Sequence, residues 1–414
     1  MITDDGISQM RKRIGIARPH SAPPHFLSPN QDAFRHVAEA YGDDNPLWCD
    51  EAYGAGTRWG GPIASPHLVG GDTLIGEDEV THLDDDVKAI MKGDPLGGVH
   101  AFYSGSHREW WHPLEPNSRV TRRNALVGVL DKDGQFAGRA VHEWFAEVFR
   151  VADGPMLSGQ YRLMIRAERE KAVERKSNDA VEILPYSDDE IAAIDEAIGG
   201  ERARRRGAVP RWWEDVAEGD ELSPLVKGPL RVTDMVVWHT GMGMGLYGVK
   251  ALRLANDQRR RMPKFFKPDS LNIPDVQQRV HWDAEWAHEA GNPAIYDYGR
   301  MRETWLIHLC TDWMGDDAWL WKLDCQFRKF NYVGDTHWMR GRVTRKYLTD
   351  AGSPAVDLEV WGENQRGETT TPGHATVLLP SHEYGPVQLP SPPGKSSTCQ
   401  ETLDALAERF AADQ

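Results

Sequence analysis

The stretch HWDAEWAHEAGNPAIYDYGRMRETWLIHLCTDW, His281 to Trp313, decides how this chain of 414 residues is to be read. After Gly299, the residues Met301, Trp305, Leu309 and Trp313 recur at every fourth position, and Leu306 and Cys310 broaden the stripe. That spacing predicts a helix with one apolar face. Beyond it the period changes. WLWKLDCQFRKF (319–330), THWMRGRVTRKYL (336–348), AVDLEVWGENQ (355–365) and HATVLLP (374–380) alternate polar with β-branched or aromatic residues. Such alternation predicts half-buried antiparallel strands. A helix packed on a curved antiparallel sheet is an α+β unit.

The same order of features occurs earlier in the chain. CDEAYGAGTRWGGPIASPHLVGGDTLIG (49–76) leads into HAFYSGSHREWW (100–111), SRVTRRNALVGVL (118–130) and AGRAVHEWFAEVFRV (137–151). SRVTRRNALVGVL and GRVTRKYL sit at matching places, so each unit is expected to be one long helix followed by about four strands. Two such units in one chain can mimic a dimer. They are placed at 27–165 and 211–380. Residues 1–26 form an N-terminal extension, and 166–210 a charged, helix-prone linker. Residues 381–414 hold a Pro/Ser-rich segment, Pro386 to Ser397, and a C-terminal helix. Domains of roughly 100 to 200 residues agree with this division.

The formal net charge of -15 and pI near 5.5 argue against binding nucleic acid or an anionic membrane surface, because the overall field repels polyanions. An anionic ligand therefore needs a local basic pocket. Arg202 to Arg206, and Arg259, Arg260 and Arg261 with Lys264, are the candidates, and the second group lies beside the His281 stretch. Cys49, Cys310, Cys325 and Cys399 form no CxxC, which fits reduced thiols in a cytoplasmic protein. The N-terminus resembles neither a secretory signal nor a transit peptide, and no run approaches the ~20 apolar residues of a membrane span.

YGDDNPLWCDEAYGAGTRWGGPIASP, Tyr41 to Pro66, resembles the MaoC-like dehydratase family, whose characteristic stretch is G-D-x-N-P-[LI]-H-x-D followed by an Ala/Gly-rich turn. The resemblance implies a double hotdog, in which each long helix is wrapped by a bent sheet. It also implies hydration of enoyl-CoA thioesters with (R) specificity, or the reverse dehydration. Gly42, Asp43, Asn45, Pro46 and Asp50 match, but Trp48 stands at the histidine position. In the second unit His281 and Asp283 match the H-x-D part, and Val276 occupies the place of the aspartate. Asp275 and Asp297 are the substitutes for it.

Hydration needs a group that takes a proton from water, one that delivers a proton to the α-carbon, and donors for the thioester oxygen. Histidine suits the proton transfers because its unperturbed pKa of roughly 6.5 lies near working pH. His281 is the expected acid/base residue, with Asp275, Asp283 or Asp297 as its carboxylate, although Asp283 is most simply a helix cap. Gly299 is placed at the amide position that would meet the thioester oxygen, or else it merely eases a turn. Tyr298 and Trp282 are placed against the substrate. Trp286, Trp305 and Tyr296 line an acyl tunnel or fill the core. Asp43, Asn45 and Trp48 belong to a first-unit motif without its base. The His-x-Asp pair alone does not make a metal site, and the GMGMG run, Gly241 to Gly245, lacks a phosphate-binding context. No metal or cofactor is expected. The expected partner is an acyl-CoA thioester, and a homodimer is compatible with this. Thioesterase activity and a non-catalytic acyl-CoA-binding or scaffold role are the alternatives.

Overall fold

The computed structural model describes residues 1–19, 23–70, 75–134, 138–167, 184–243 and 249–412. Part of the charged linker and the GMGMG run beyond Gly243 therefore lie outside the described residues. In chain order the helices are α1 (Asp4–Arg11), α2 (Gln31–Glu39), α3 (Glu51–Ala55), α4 (Asp85–Met91), α5 (Asp188–Gly199), α6 (Glu201–Arg204), α7 (Val232–Gly241), α8 (Leu252–Arg261), α9 (Ala284–Glu289), α10 (Gly299–Met314) and α11 (Cys399–Ala412). The strands are β1 (Glu77–Asp78), β2 (His100–Trp110), β3 (Val120–Gly134), β4 (Gly138–Val151), β5 (Met156–Ala167), β6 (Leu225–Lys227), β7 (Phe266–Pro268), β8 (Pro274–Val276), β9 (Trp319–Gln326), β10 (His337–Leu348), β11 (Pro354–Asn364) and β12 (Thr369–Leu378).

Ten strands form one sheet in the order β1-β3-β4-β5-β2-β9-β12-β11-β10-β6, and β7 and β8 form a separate hairpin. The two halves mirror each other. β3-β4-β5-β2 on one side answers β10-β11-β12-β9 on the other, and β2 meets β9 antiparallel at the seam, from Gly105 to Glu109. Gly105 is required there, because a Cβ would lie 2.8 Å from the Cys325 carbonyl oxygen. Alternation works as expected on β11, where Val356, Leu358 and Val360 are buried and Asp357, Glu359 and Trp361 are half-buried.

α10 runs unbroken for 16 residues and stops at Gly315, whose φ of +78° suits glycine. Its stripe of Met301, Trp305, Leu306, Leu309, Cys310 and Trp313 joins Leu320, Met339, Leu358 and Val377 of the sheet, and Phe34, Trp110 and Leu157 of the first half, in one core. The expectation of a single apolar face is corrected: Arg300 through Met314 are all buried, charged residues included.

The first unit departs from the expected long helix. Among its described residues no helix exceeds the nine residues of α2; α3 has five, and Pro66–Leu68 is a single tight turn. The glycines and prolines of GAGTRWGGPIASP explain this, since each raises the cost of continuing a helix. Helices from the chain's two ends cover the first half of the sheet instead. Leu403, Leu406 and Phe410 of α11 pack on Ala125, Ala146, Val148 and Tyr161, while Ile2, Ile7 and Met10 with α1 pack on Leu126, Val129 and Val141. No helix of the described residues is long and apolar enough to cross a membrane.

Candidate functional site

Gln277 to His281 form a short tight turn, after which Asp283 caps α9 by accepting from the Trp286 amide at 3.0 Å. Asp283 also pairs with Arg279 at 3.1 Å. His281 Nδ1 lies 2.8 Å from the Tyr296 carbonyl oxygen. A carbonyl only accepts, so Nδ1 carries the proton and Nε2 is the basic atom of the neutral ring. The rings of Tyr296 and Tyr298 flank the imidazole, with centroids 4.8 and 4.0 Å away. Tyr298 is the residue before the first turn of α10, so His281 sits at that helix's entrance. The Tyr298 hydroxyl meets Gln278 Nε2 at 3.3 Å and His239 Nδ1 at 3.4 Å, and Trp238 stacks on its ring at 5.3 Å. Burial holds His239 down to about 4, so this imidazole is neutral at ordinary pH.

The three candidate carboxylates are engaged in other ways. Asp297 is buried, pairs with Arg302 at 3.0 Å and accepts from Asn331 at 2.9 Å. Burial pushes it up to about 6 despite Arg302. Asp275 accepts from the Val276 amide at 2.7 Å, and Asp283 is the cap. The imidazole is thus oriented by a backbone carbonyl where a carboxylate was expected. Gly299 opens α10, but a Cβ there would lie 3.2 Å from the Phe327 ring, so the space left by its missing side chain is taken by Phe327. Its amide still belongs to the first turn, whose N–H groups have no partner within the helix.

The aromatic candidates divide. Trp282 is half-buried next to His281, while Trp286 donates to the Gln277 carbonyl at 2.8 Å and Trp305 faces His337 at 6.0 Å. The basic clusters divide too. Arg202 and Arg205 bind Asp44, Arg204 the Ala197 carbonyl, and Arg206 those of Val209 and Pro210. Arg260, Arg261 and Lys264 are exposed and Arg259 half-buried, at the end of α8 and the turn after it.

Several residues that touch Tyr298 hold unpaired buried atoms: Nε1 of Trp238, Nε2 of His239 and Oε1 of Gln278 have no hydrogen-bond partner among the described residues, and neither ring nitrogen of His67, next to Trp238, has one. His67 is fully buried, 6.4 Å from the Trp238 ring, and burial lowers its pKa well below the usual value. Buried polar atoms are rarely unpaired, and a group of them marks a place for water or a polar ligand. His67, Trp238, His239 and Gln278 went unrecognised in the sequence because no spacing links them; only the fold brings them together.

The first-unit motif is a buried network. Asp43 accepts from Trp48 Nε1 at 2.7 Å, Tyr41 Oη at 3.2 Å and the Asn45 amide at 2.9 Å. Where the motif histidine is missing, His308 of α10 approaches, its Nε2 3.7 Å from Asp43 and 3.4 Å from Asp312. Lys227 Nζ lies 2.8 Å from His308 Nδ1, so an ammonium donating there leaves the imidazole proton on Nε2, facing the carboxylates. Burial, with Lys227, lowers His308 to about 3, and burial raises Asp312 to about 6. Ligand atoms of Asp43, His308 and Asp312 lie within 4.8 Å of one another, but Lys227 already supplies the cluster's counter-charge. Asn45 donates to Asp316 at 3.0 Å, extending the network between the halves. A cavity of about 30 Å³ adjoins it, lined by Asn45, Trp48, Thr311 and Asp316 and by none of the residues around His281. That volume holds about one water.

No protein-family model matches the sequence, and no curated protein matches it. Solved structures do. A MaoC-like dehydratase is 15% identical, with 89% of this chain and 99% of that chain covered and a TM-score of 0.59. A protein described as a MaoC domain dehydratase from Chloroflexus aurantiacus J-10-fl is 11% identical, with 89% and 96% covered and a TM-score of 0.51. At these identities the likeness is one of fold: the chain is an α+β double hotdog.

Proposed function

We propose that the protein adds water to an enoyl thioester, or removes it from a 3-hydroxyacyl thioester, with His281 as the acid/base group. One observation carries this reading. The imidazole is held through Nδ1 by a backbone carbonyl, leaving Nε2 as its basic atom at the entrance of α10, and its ring lies against Tyr298, whose neighbours Trp238, His239 and Gln278 hold buried polar atoms that lack partners among the described residues. In hydration, Nε2 takes a proton from water while the water oxygen bonds to the β-carbon. The electron pair of the double bond moves toward the thioester, whose oxygen becomes enolate-like. The imidazolium then returns a proton to the α-carbon, so that one water has been added. First-turn amides of α10, including that of Gly299, and the positive end of the helix dipole stabilise the enolate oxygen. With Val276 at the aspartate position, Gln278 Oε1 is the group we assign to hold the water. Arg259, Arg260, Arg261 and Lys264 supply positive charge for the phosphates of a CoA carrier.

The test follows crotonyl-CoA at the enoyl-thioester absorbance, beside a free-thiol assay on a saturated acyl-CoA. Loss of absorbance without thiol release supports the proposal. Thiol release would assign a thioesterase instead, and tight binding with neither signal a non-catalytic acyl-CoA-binding protein.

A further inference from the structure

The imidazole of His281 and the start of α10 are held by separate segments, and one buried carboxylate joins them. Residues 295–297 run beside 331–333: Tyr296 pairs with Tyr332, the Asp297 amide donates to the Asn331 carbonyl at 2.8 Å, and the Val333 amide to that of Ile295 at 3.0 Å. This segment holds the imidazole, through the Tyr296 carbonyl 2.8 Å from Nδ1 and through the rings of Tyr296 and Tyr298 at 4.8 and 4.0 Å. Asp297 stands between those two tyrosines and is 1% exposed. Its carboxylate accepts from Asn331 Nδ2 at 2.9 Å and meets Arg302 Nε at 3.0 Å. Arg302 belongs to α10. Its guanidinium lies over the Phe327 ring at 5.2 Å, and the same ring sits 3.2 Å from the place of a Gly299 Cβ. It also donates to the Lys329 carbonyl at 2.7 Å and to Thr371 Oγ1 at 3.2 Å. The carboxylate thus ties the segment that orients the base to the helix start that the hydration reading assigns to the thioester oxygen.

We propose that Asp297, through its ion pair with Arg302, is a positioning residue: it fixes the Tyr296 carbonyl, and with it the His281 imidazole, at a set distance from the first-turn amides of α10. The inference rests on the hydratase reading of His281. Stability alone does not call for this pair. Two charges lose their water on burial, and apolar side chains of similar volume would hold the fold as well or better. What the pair adds is direction, because a guanidinium and a carboxylate bond along fixed axes. Base and amides must act on two ends of one enoyl thioester, where a misplacement of ~1 Å costs roughly 100-fold in rate.

Asp297→Asn leaves Arg302 buried without its carboxylate, so it loses stability as well as direction. The double variant Asp297→Asn, Arg302→Met removes both charges and separates the two effects. In urea it should unfold close to wild type, while kcat for crotonyl-CoA falls at least ~10-fold with KM unchanged. Nitrogen NMR of labelled histidines, assigned with His281→Gln, reads the same event without turnover. The wild-type ring should carry its proton on Nδ1, and in the double variant the proton should be shared between Nδ1 and Nε2. Asp297→Asn gives the same two readings with Arg302 in place. Wild-type kcat in the double variant, or an imidazole still protonated on Nδ1 alone, would overturn the proposal. If the wild type did not hydrate crotonyl-CoA while the double variant still lost the Nδ1 preference, the positioning role would stand and the hydratase reading would fall.

Discussion

His281 and Asp43 occupy related motif positions and are put to different uses. His281 has Nδ1 committed to the Tyr296 carbonyl, which makes Nε2 the basic atom of the neutral ring. Replacing it with alanine should lower kcat/KM for crotonyl-CoA by ~100-fold or more, the loss typical of a general acid/base, with a melting temperature close to wild type. Asp43 is the reverse case. It is buried with three donors and His308, in a cluster where Lys227 needs a counter-charge. Asp43→Ala should leave hydration nearly unchanged yet destabilise the fold by about 3 kcal/mol, because three buried donors lose their acceptor and Lys227 loses one of its counter-charges; urea unfolding measures it. The sequence locates both residues through their motif. It cannot separate their roles, since Lys227, His308 and Asp312 come from the other half of the chain.

At the scale of the element, α10 shows where periodicity misleads. Its apolar stripe is visible in the sequence, and Arg302 and Glu303 beside it look like a solvated face. In the fold these charges are buried because partners arrive from distant segments: Arg108 grips Glu303 with two bonds of 2.7 and 2.6 Å, and Asp297 meets Arg302. Glu303→Gln should cost about 3–5 kcal/mol by leaving Arg108 buried and unpaired, whereas Arg108→Met with Glu303→Leu should recover most of that loss. Denaturant titration of the single and double variants gives the coupling directly. The missing helix of the first unit has a local cause that the sequence does display, in its glycines and prolines. The repeat pattern predicts a helix there nonetheless, and local chemistry prevails.

For the whole molecule, the duplicated order of strands is legible in the sequence and gives the mirrored halves of the sheet. How the halves join is not, because the seam is a register between β2 and β9. His107 on β2 lies there, 2.6 Å from Asp324 of β9 and 3.1 Å from Glu109. Burial alone would lower its pKa, but the two carboxylates prevail and raise it to about 9. The folded state thus favours the charged imidazole. Its contribution is fully present below the ordinary value of 6.5 and is lost as pH rises through about 9. Glu109 is held down to about 2, so its contribution is lost only in strong acid. Unfolding free energy should fall between pH 6.5 and about 9 in the wild type, and His107→Gln should flatten that slope in urea titrations across the range.

Proton transfer by one imidazole is tested most directly by hydrating crotonyl-CoA in heavy water and following the product by NMR. Wild type should yield 3-hydroxybutyryl-CoA carrying one deuterium at the α-carbon, and His281→Gln almost none in the same time. Equal deuterated product from both proteins would contradict the assignment of His281.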